Sequence, residues 1–266
     1  MSRFAWLTDI HLNHVTPERE RQFLRELAAN EPDGVLIGGD VSESMELVPH
    51  LKRIAATLAC PVYFVLGNHD YYFSSIHRVR HVVSQLCREV PRLIWLNEAG
   101  VVELAPGVGL VGCDGWADGK LGDYVTSSVM LNDYLLIEEL KELTPGERWE
   151  TLKWLADAEA EIVARVLPEA LEKFPHAVLL THVPPFRESC WHEGRISNDE
   201  WLPHFSSKIM GDAILAVMQQ HPNHQLTVLC GHTHSPGECR PRDNVTVFTG
   251  GATYGAPAVQ RVFHWE

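Results

Sequence analysis

The sequence predicts an α/β fold built in layers. Short apolar runs of β type alternate with stretches of helical period along the chain. Five of those runs stop at a cluster of polar residues: Asp9-Ile10-His11, Gly39-Asp40, Gly67-Asn68-His69-Asp70, Thr181-His182 and Gly231-His232-Thr233-His234. In open α/β sheets the carboxyl edge of the strands gathers residues that are far apart in sequence, and sites form there. With 266 residues, 45% of them hydrophobic and 21% charged, residues 1–266 read as a single globular domain without linker, repeat or low-complexity tract.

The elements follow in order. Residues 3–7 form the first strand. Thr16-Pro17-Glu18 opens a helix, with Thr as N-cap and Pro in the first turn, and Phe23, Leu24 and Leu27 supply its apolar face. Strands at 35–37 and 62–66 alternate with helices at 44–58 and 74–90. Runs at 93–96, 101–104 and 108–113 read as strands of a second sheet, with Pro106-Gly107 as a turn. A Gly- and Asp-rich loop occupies 114–128. Thr144-Pro145-Gly146-Glu147 then has the capping-box pattern and opens a helix whose apolar residues recur to Leu167. Pro168 is expected to kink or end it. Strands at 177–180 and 226–230 flank an irregular stretch, 183–206, and a helix from Ser207 to about Gln220. Runs at 245–248 and 259–265 close the sheets.

Carboxylates, imidazoles and one amide gathered at strand ends make the ligand set of a divalent-metal site. Taken in order, the five clusters resemble the calcineurin-like metallophosphoesterase superfamily, whose pattern is D-x-H, G-D-x-x-D, G-N-H-D/E, a lone H, and G-H-x-H. The resemblance spans residues 9 to 234. It implies the four-layer α/β/β/α fold, a two-sheet β-sandwich flanked by helices. One motif departs: Gly39-Asp40-Val41-Ser42-Glu43 carries glutamate where the family has aspartate. Each motif alone has a blander explanation, since Gly and Asp are common turn residues and Asn tolerates a left-handed turn. Their joint occurrence in order is what points to a metal site.

By the resemblance, Asp9, His11 and His234 hold one metal, Asn68, His182 and His232 a second, and Asp40 bridges both. The implied cofactors are two divalent or mixed-valence transition metal ions; imidazole suits Mn, Fe or Zn better than Mg or Ca. A metal-bridging hydroxide is the implied nucleophile. His69 is expected to stabilise phosphoryl charge or protonate the leaving oxygen, with Glu43 or Asp70 accepting its other N–H. Candidate substrate-binding residues are His14 and, in a substrate-lid loop at 183–206, Arg187, Trp191, His192 and Arg195. Tyr71 and Tyr72 suit core packing or a pocket wall, and Asp114-Gly115-Trp116 the same rim.

The expected activity is hydrolysis of a small-molecule phosphoester, diester or monoester. The alternatives are a non-catalytic binding or scaffold module, a protein phosphatase, or a cyclic nucleotide phosphodiesterase. Intact ligand positions and His69 disfavour the scaffold, and Gly39-Asp40-Val41-Ser42-Glu43-Ser44 lacks the arginine of the protein phosphatases. A net charge of −13 disfavours nucleic acid as a partner. It leaves room for a small phosphorylated substrate, because bound cations reverse the local field. No apolar run approaches the roughly 20 residues of a membrane span, and the sequence passes directly from Met1-Ser2-Arg3 into a strand, so a cytoplasmic location is expected. Six cysteines without a C-x-x-C pair are expected to be reduced thiols. Oligomeric state has no signal in the sequence.

Overall fold

The computed structural model describes residues 2–265. Its elements run β1 (Ser2–Leu7), α1 (Pro17–Ala29), β2 (Gly34–Gly38), α2 (Ser44–Thr57), β3 (Val62–Val65), α3 (Ile76–Glu89), β4 (Leu93–Trp95), α4 (Leu96–Ala99), β5 (Val102–Ala105), β6 (Val108–Gly112), α5 (Asp133–Leu136), α6 (Pro145–Lys173), β7 (His176–Leu180), β8 (Trp191–His192), β9 (Arg195–Ile196), α7 (Leu202–Phe205), α8 (Lys208–Gln220), β10 (Gln225–Cys230), β11 (Gly237–Arg242), β12 (Val245–Thr249) and β13 (Arg261–Trp265). The strands make a five-stranded sheet, β13-β1-β2-β3-β4, and a six-stranded sheet, β11-β12-β10-β7-β6-β5. The central strands β1 to β4 are parallel, as are β6, β7, β10 and β12; antiparallel β13, β5 and β11 finish the edges.

Side-chain alternation along the strands sorts the core into layers. Phe4, Leu36 and Val65 of the first sheet meet Leu110, Val178 and Leu229 of the second, forming the filling between the sheets. The alternate residues Ala5, Ile37 and Phe64 face outward and pack with Phe23, Leu51 and Val83 of α1, α2 and α3. On the far side Val111, Leu179 and Val228 pack against Val163 and Leu167 of α6 and Ile214 of α8. The result is helix, sheet, sheet, helix. Caps set the helix starts: Thr16 Oγ1 accepts from Arg19 N (3.3 Å), Ser75 Oγ from Arg78 N (3.2 Å), and Thr144 and Glu147 close their capping box.

Three local expectations are corrected, and one strand, β11, adds to those expected. The 93–96 run does not join the second sheet: β4 pairs in parallel with β3. Edge strand β11 has no apolar alternation in Gly237-Glu238-Cys239-Arg240-Pro241-Arg242; an edge tolerates its proline and its register shift. Pro168 does not end α6, which runs on to Lys173. Val163 and Leu167 before it and Ala170 and Leu171 after it are buried in one cluster, and that burial offsets the roughly 3 kcal/mol of an interior proline. The 183–206 stretch is not irregular throughout: it folds into the β8–β9 hairpin and α7. All six cysteines are free thiols, and no helix among the described residues is long and apolar enough to cross a membrane.

Candidate metal centre

The parallel strands β1, β2, β3, β7 and β10 all deliver their carboxyl ends to one edge, and the loops there are tied together. Asp9 N donates to Gly39 O (3.0 Å), His11 N to Asp40 O (3.0 Å) and Gly231 N to His182 O (2.8 Å). The turns are so tight that Asp9, His11, Asp40, His232 and His234 all adopt positive φ, between 39° and 70°. Such backbone costs of order 1–3 kcal/mol per residue and persists only where the surroundings enforce it. Glycine is required beside them. A Cβ on Gly231 would collide with the Asp9 carboxylate and one on Gly67 with Asp40.

The ligand atoms of Asp9, His11, Asp40 and His234 lie within 4.8 Å of one another. His11 Nε2 stands 3.0 Å from His234 Nε2, and His234 Nε2 is 3.4 Å from Asp9 Oδ1. Asp9 is anchored by Thr8 Oγ1 (2.6 Å) and by the backbone N–H of His232 (3.0 Å). Next to this group is a second. His182 Nε2 lies 3.0 Å, and His232 Nδ1 2.9 Å, from Asn68 Oδ1. Asp40 stands between the two. Its Oδ1 accepts the backbone N–H of His69 (2.9 Å). Its Oδ2 lies 3.7 Å from His11 Nε2 and 3.5 Å from His182 Nε2. Asp40 Oδ2 therefore lies between the two groups.

Whether these residues fit metal ions can be decided from their own hydrogen bonds. His182 Nδ1 donates to Gly38 O (2.8 Å), and His232 Nε2 donates to His204 O (3.2 Å). Burial lowers the pKa of both rings, His232 to about 4, so each is neutral and has only that one proton. Asn68 Nδ2 donates to Asp133 Oδ1 (2.8 Å), which turns its Oδ1 the other way. Three lone-pair atoms thus converge with no proton among them, an arrangement that a cation satisfies. The carboxylates give the same answer. Burial, then the charges of Asp9 and Asp70, push Asp40 well above its ordinary pKa. Asp9 is also buried, but bonding to His234 and the nearby imidazoles hold it well below. Among the described residues no Lys or Arg pairs with either, and buried carboxylates are either paired or bound to metal.

His69 lies at the floor of the cleft with Nε2 3.9 Å from Asp40 Oδ2. Its ring stacks on Tyr72 at 4.3 Å and meets His11 edge-on at 4.6 Å. Burial drives its pKa down to about 2, and the neighbouring histidines add to this. The expectation that Glu43 or Asp70 orients it is corrected. Asp70 accepts Ser42 N and Gly67 N, each at 2.9 Å, and so fastens the loops. Glu43 starts α2, its backbone carbonyl accepting Glu46 N and Leu47 N. Among the described residues His69 Nδ1 has no hydrogen-bond partner. Stacking on Tyr72 holds this ring in place of a carboxylate.

A cleft of about 360 Å³ opens above Asn68, His69, His232 and His234. Its walls are Tyr72, Leu131, His192, Glu193, Phe205 and Tyr254. Of the expected substrate-binding residues only His192 lines it. His192 packs against Trp201 and Phe205, each at 5.0 Å. His14 is exposed at the rim, 4.8 Å from Tyr254. Arg187, Trp191 and Arg195 do not line the cleft: Arg187 pairs with Asp199 (2.8 Å), Arg195 with Glu193 (3.6 Å), and Trp191 packs over Gly237. Neighbours on a strand face opposite ways, so Trp191 turns away from the cleft that His192 lines; Arg195 lies opposite His192 in the hairpin, but its exposed side chain turns to Glu193. Asp114 is no rim residue either; it is fully buried, taking Leu66 N, Tyr71 Oη, Trp95 Nε1 and Arg80 Nη2.

Sequence reasoning missed three contributors. Asp133 orients Asn68 and also accepts Tyr72 Oη (2.6 Å). Tyr254 packs at a tilt against His11 (4.6 Å) and edge-on against His234 (5.3 Å). Burial and the charges of Asp40, Asp9, Asp133 and Glu43 push its phenol up to about 12. His204 supplies the carbonyl that fixes His232. None lies in a strand-end motif. The one signal was Gly250-Gly251 before Tyr254, which marks a loop at the end of β12.

Comparison with known proteins agrees with this geometry. A family model described as calcineurin-like phosphoesterase matches residues 2–236. A probable cyclic nucleotide phosphodiesterase of Pseudoalteromonas sp. (strain SM9913) is 29% identical over 103 residues, 31% of this chain and 40% of that protein's length. In structure, the chain resembles the phosphopantetheinyl hydrolase PptH of Mycobacterium tuberculosis, with TM-score 0.68 at 16% identity, over 96% of this chain and 90% of that one. It also resembles a dimetal phosphatase from Danio rerio, with TM-score 0.58 at 15% identity, over 96% and 89%. At these identities the two structures speak for the fold, and the match to the family model, over most of the chain, speaks for the family: this protein belongs to the calcineurin-like phosphoesterase family.

Proposed function

We propose that the chain, acting as one domain, is a binuclear metal-dependent hydrolase of small-molecule phosphoesters. Asp9, His11 and His234 would hold one ion and Asn68, His182 and His232 the other, with Asp40 shared between the two groups. The observation that carries this reading is the convergence of His182 Nε2, His232 Nδ1 and Asn68 Oδ1, within 3.0 Å and without a proton, beside a second cluster that shares Asp40. Transition-metal ions bound there supply a Lewis-acid clamp on the phosphoryl oxygens and a nucleophile of lowered pKa.

The chain's own residues do the rest. His69 faces the cleft through Nε2 and, as a neutral ring, donates a hydrogen bond from that atom to a phosphoryl or departing oxygen. An anionic phosphate beside it raises its proton affinity, which allows the same ring to act as acid. Tyr72 keeps it in place by stacking. Tyr254 and Phe205 narrow the cleft and shed water from the bound ester. The name of the Pseudoalteromonas relative favours a phosphodiester within this class. Turnover of bis(p-nitrophenyl) phosphate with added Mn²⁺, abolished by chelator and restored by metal, is the expected result. A well-folded, metal-loaded protein that hydrolyses no mono- or diester would sink the proposal.

A further inference from the structure

Two grooves, not one, leave the metal positions, and His234 lines both. One is the aromatic cleft of about 360 Å³ between Tyr72 and Tyr254 on one side and Phe205 on the other. The second, about 350 Å³, starts at Asp9 and His234 and runs along the small residues Gly251, Ala252, Thr253, Ala256 and Ala258. No Lys or Arg lines either groove among the described residues. The aromatic cleft instead adds two carboxylates, Asp133 and Glu193. The arginines of the nearby hairpin and turn are paired with Asp199 and Glu193.

This shape and charge discriminate among phosphoesters. A phosphomonoester has one organic arm, leaves a groove empty, and brings a second negative charge that no side chain answers. A diester has two arms and one charge. We propose, building on the phosphoesterase reading above, that the substrate is an acyclic phosphodiester with two uncharged alcohol arms. A flat or apolar arm lies in the aromatic cleft and the second arm in the groove along residues 251–258. An aromatic face suits the first, and the small residues of the second leave room for the other arm. A further phosphate on the arm in the aromatic cleft is repelled by Asp133 and Glu193.

Groove and charge are tested separately. Ala256 is exposed on the groove wall, so Ala256→Trp fills the groove without touching the core. Metal-loaded wild type should prefer bis(p-nitrophenyl) phosphate over p-nitrophenyl phosphate in kcat/KM. Ala256→Trp should cost the diester about tenfold, mostly in KM, and change the monoester less than about twofold, with metal content unchanged. Calorimetric Kd values for diphenyl phosphate and phenyl phosphate should shift the same way. Equal effects on both esters, or none on the diester, overturn the two-groove assignment. For charge, the p-nitrophenyl ester of thymidine 5′-phosphate is compared with and without a 3′-phosphate. The extra phosphate should lower kcat/KM about tenfold, a gap that shrinks with salt and in Glu193→Lys. No gap, or a preference for the doubly charged ester, overturns the charge argument. Failure to hydrolyse any of these esters instead overturns the phosphoesterase reading, and this inference with it.

Discussion

Replacing Asp133 with alanine should weaken one metal and spare the other. Asp133 Oδ1 takes hydrogen bonds from Asn68 Nδ2 at 2.8 Å and Tyr72 Oη at 2.6 Å, and the residue is buried. Without it the Asn68 amide has no reason to keep Oδ1 toward His182 and His232. A hydrogen bond to a charged group contributes about 1.5–3 kcal/mol. Divided by 1.4 kcal/mol per decade, that is about 10–100-fold, the same range found when partners of metal ligands are removed. Titration of metal-free protein with Mn²⁺ by calorimetry should therefore show the second site weakened by about 10–100-fold and the Asp9, His11 and His234 site within about twofold of wild type. Asp133→Asn, which retains an acceptor but loses the charge, should fall between. Equal weakening of both sites, or no change, would refute the claim that Asp133 acts through Asn68.

His69→Ala should retain both metals and lose about 10²–10⁴-fold in rate, less for esters with good leaving groups; equal loss across leaving groups would leave only an electrostatic role. Phe205→Ala and His192→Ala should raise KM several-fold, whereas Arg195→Ala and Trp191→Ala should leave it unchanged, because only the first pair lines the cleft. Arg80→Ala should cost about 3–5 kcal/mol by denaturant unfolding, since Arg80 pairs with the buried carboxylates of Asp114 and Glu159; a change under about 1 kcal/mol would show that these acids need no partner.

The sandwich and the strand-end clusters that meet at one edge of it were legible in the sequence for one physical reason. Ligand chemistry restricts residue type, and strand ends restrict place, so Asp-x-His or Gly-Asn-His-Asp after an apolar run carries information that is local. Asp133, Tyr254 and His204 were not legible because their roles are non-local. Asp133 is 65 residues from the amide it orients and has no periodic or motif neighbour. The hairpin Trp191–Ile196 misled for a related reason. Its composition, cationic and aromatic, suggested a substrate surface, but Arg195, although opposite His192 in the ladder, is taken by Glu193, and Trp191 lies over Gly237; composition does not encode such partners. The same limit explains β4: an apolar run announces a strand but not the sheet it joins. At Pro168 a local rule met a stronger tertiary one, burial on both sides of the proline.

Metal counting tests the central claim most directly. Protein loaded with Mn²⁺, freed of excess metal by gel filtration and assayed by inductively coupled plasma mass spectrometry should contain two ions per chain. Asp40→Asn, judged folded by circular dichroism, should retain fewer than one, because Asp40 Oδ2 lies within 3.7 Å of ligand nitrogens from both groups. One ion per chain in the wild type, or two in Asp40→Asn, would contradict a binuclear centre joined by Asp40.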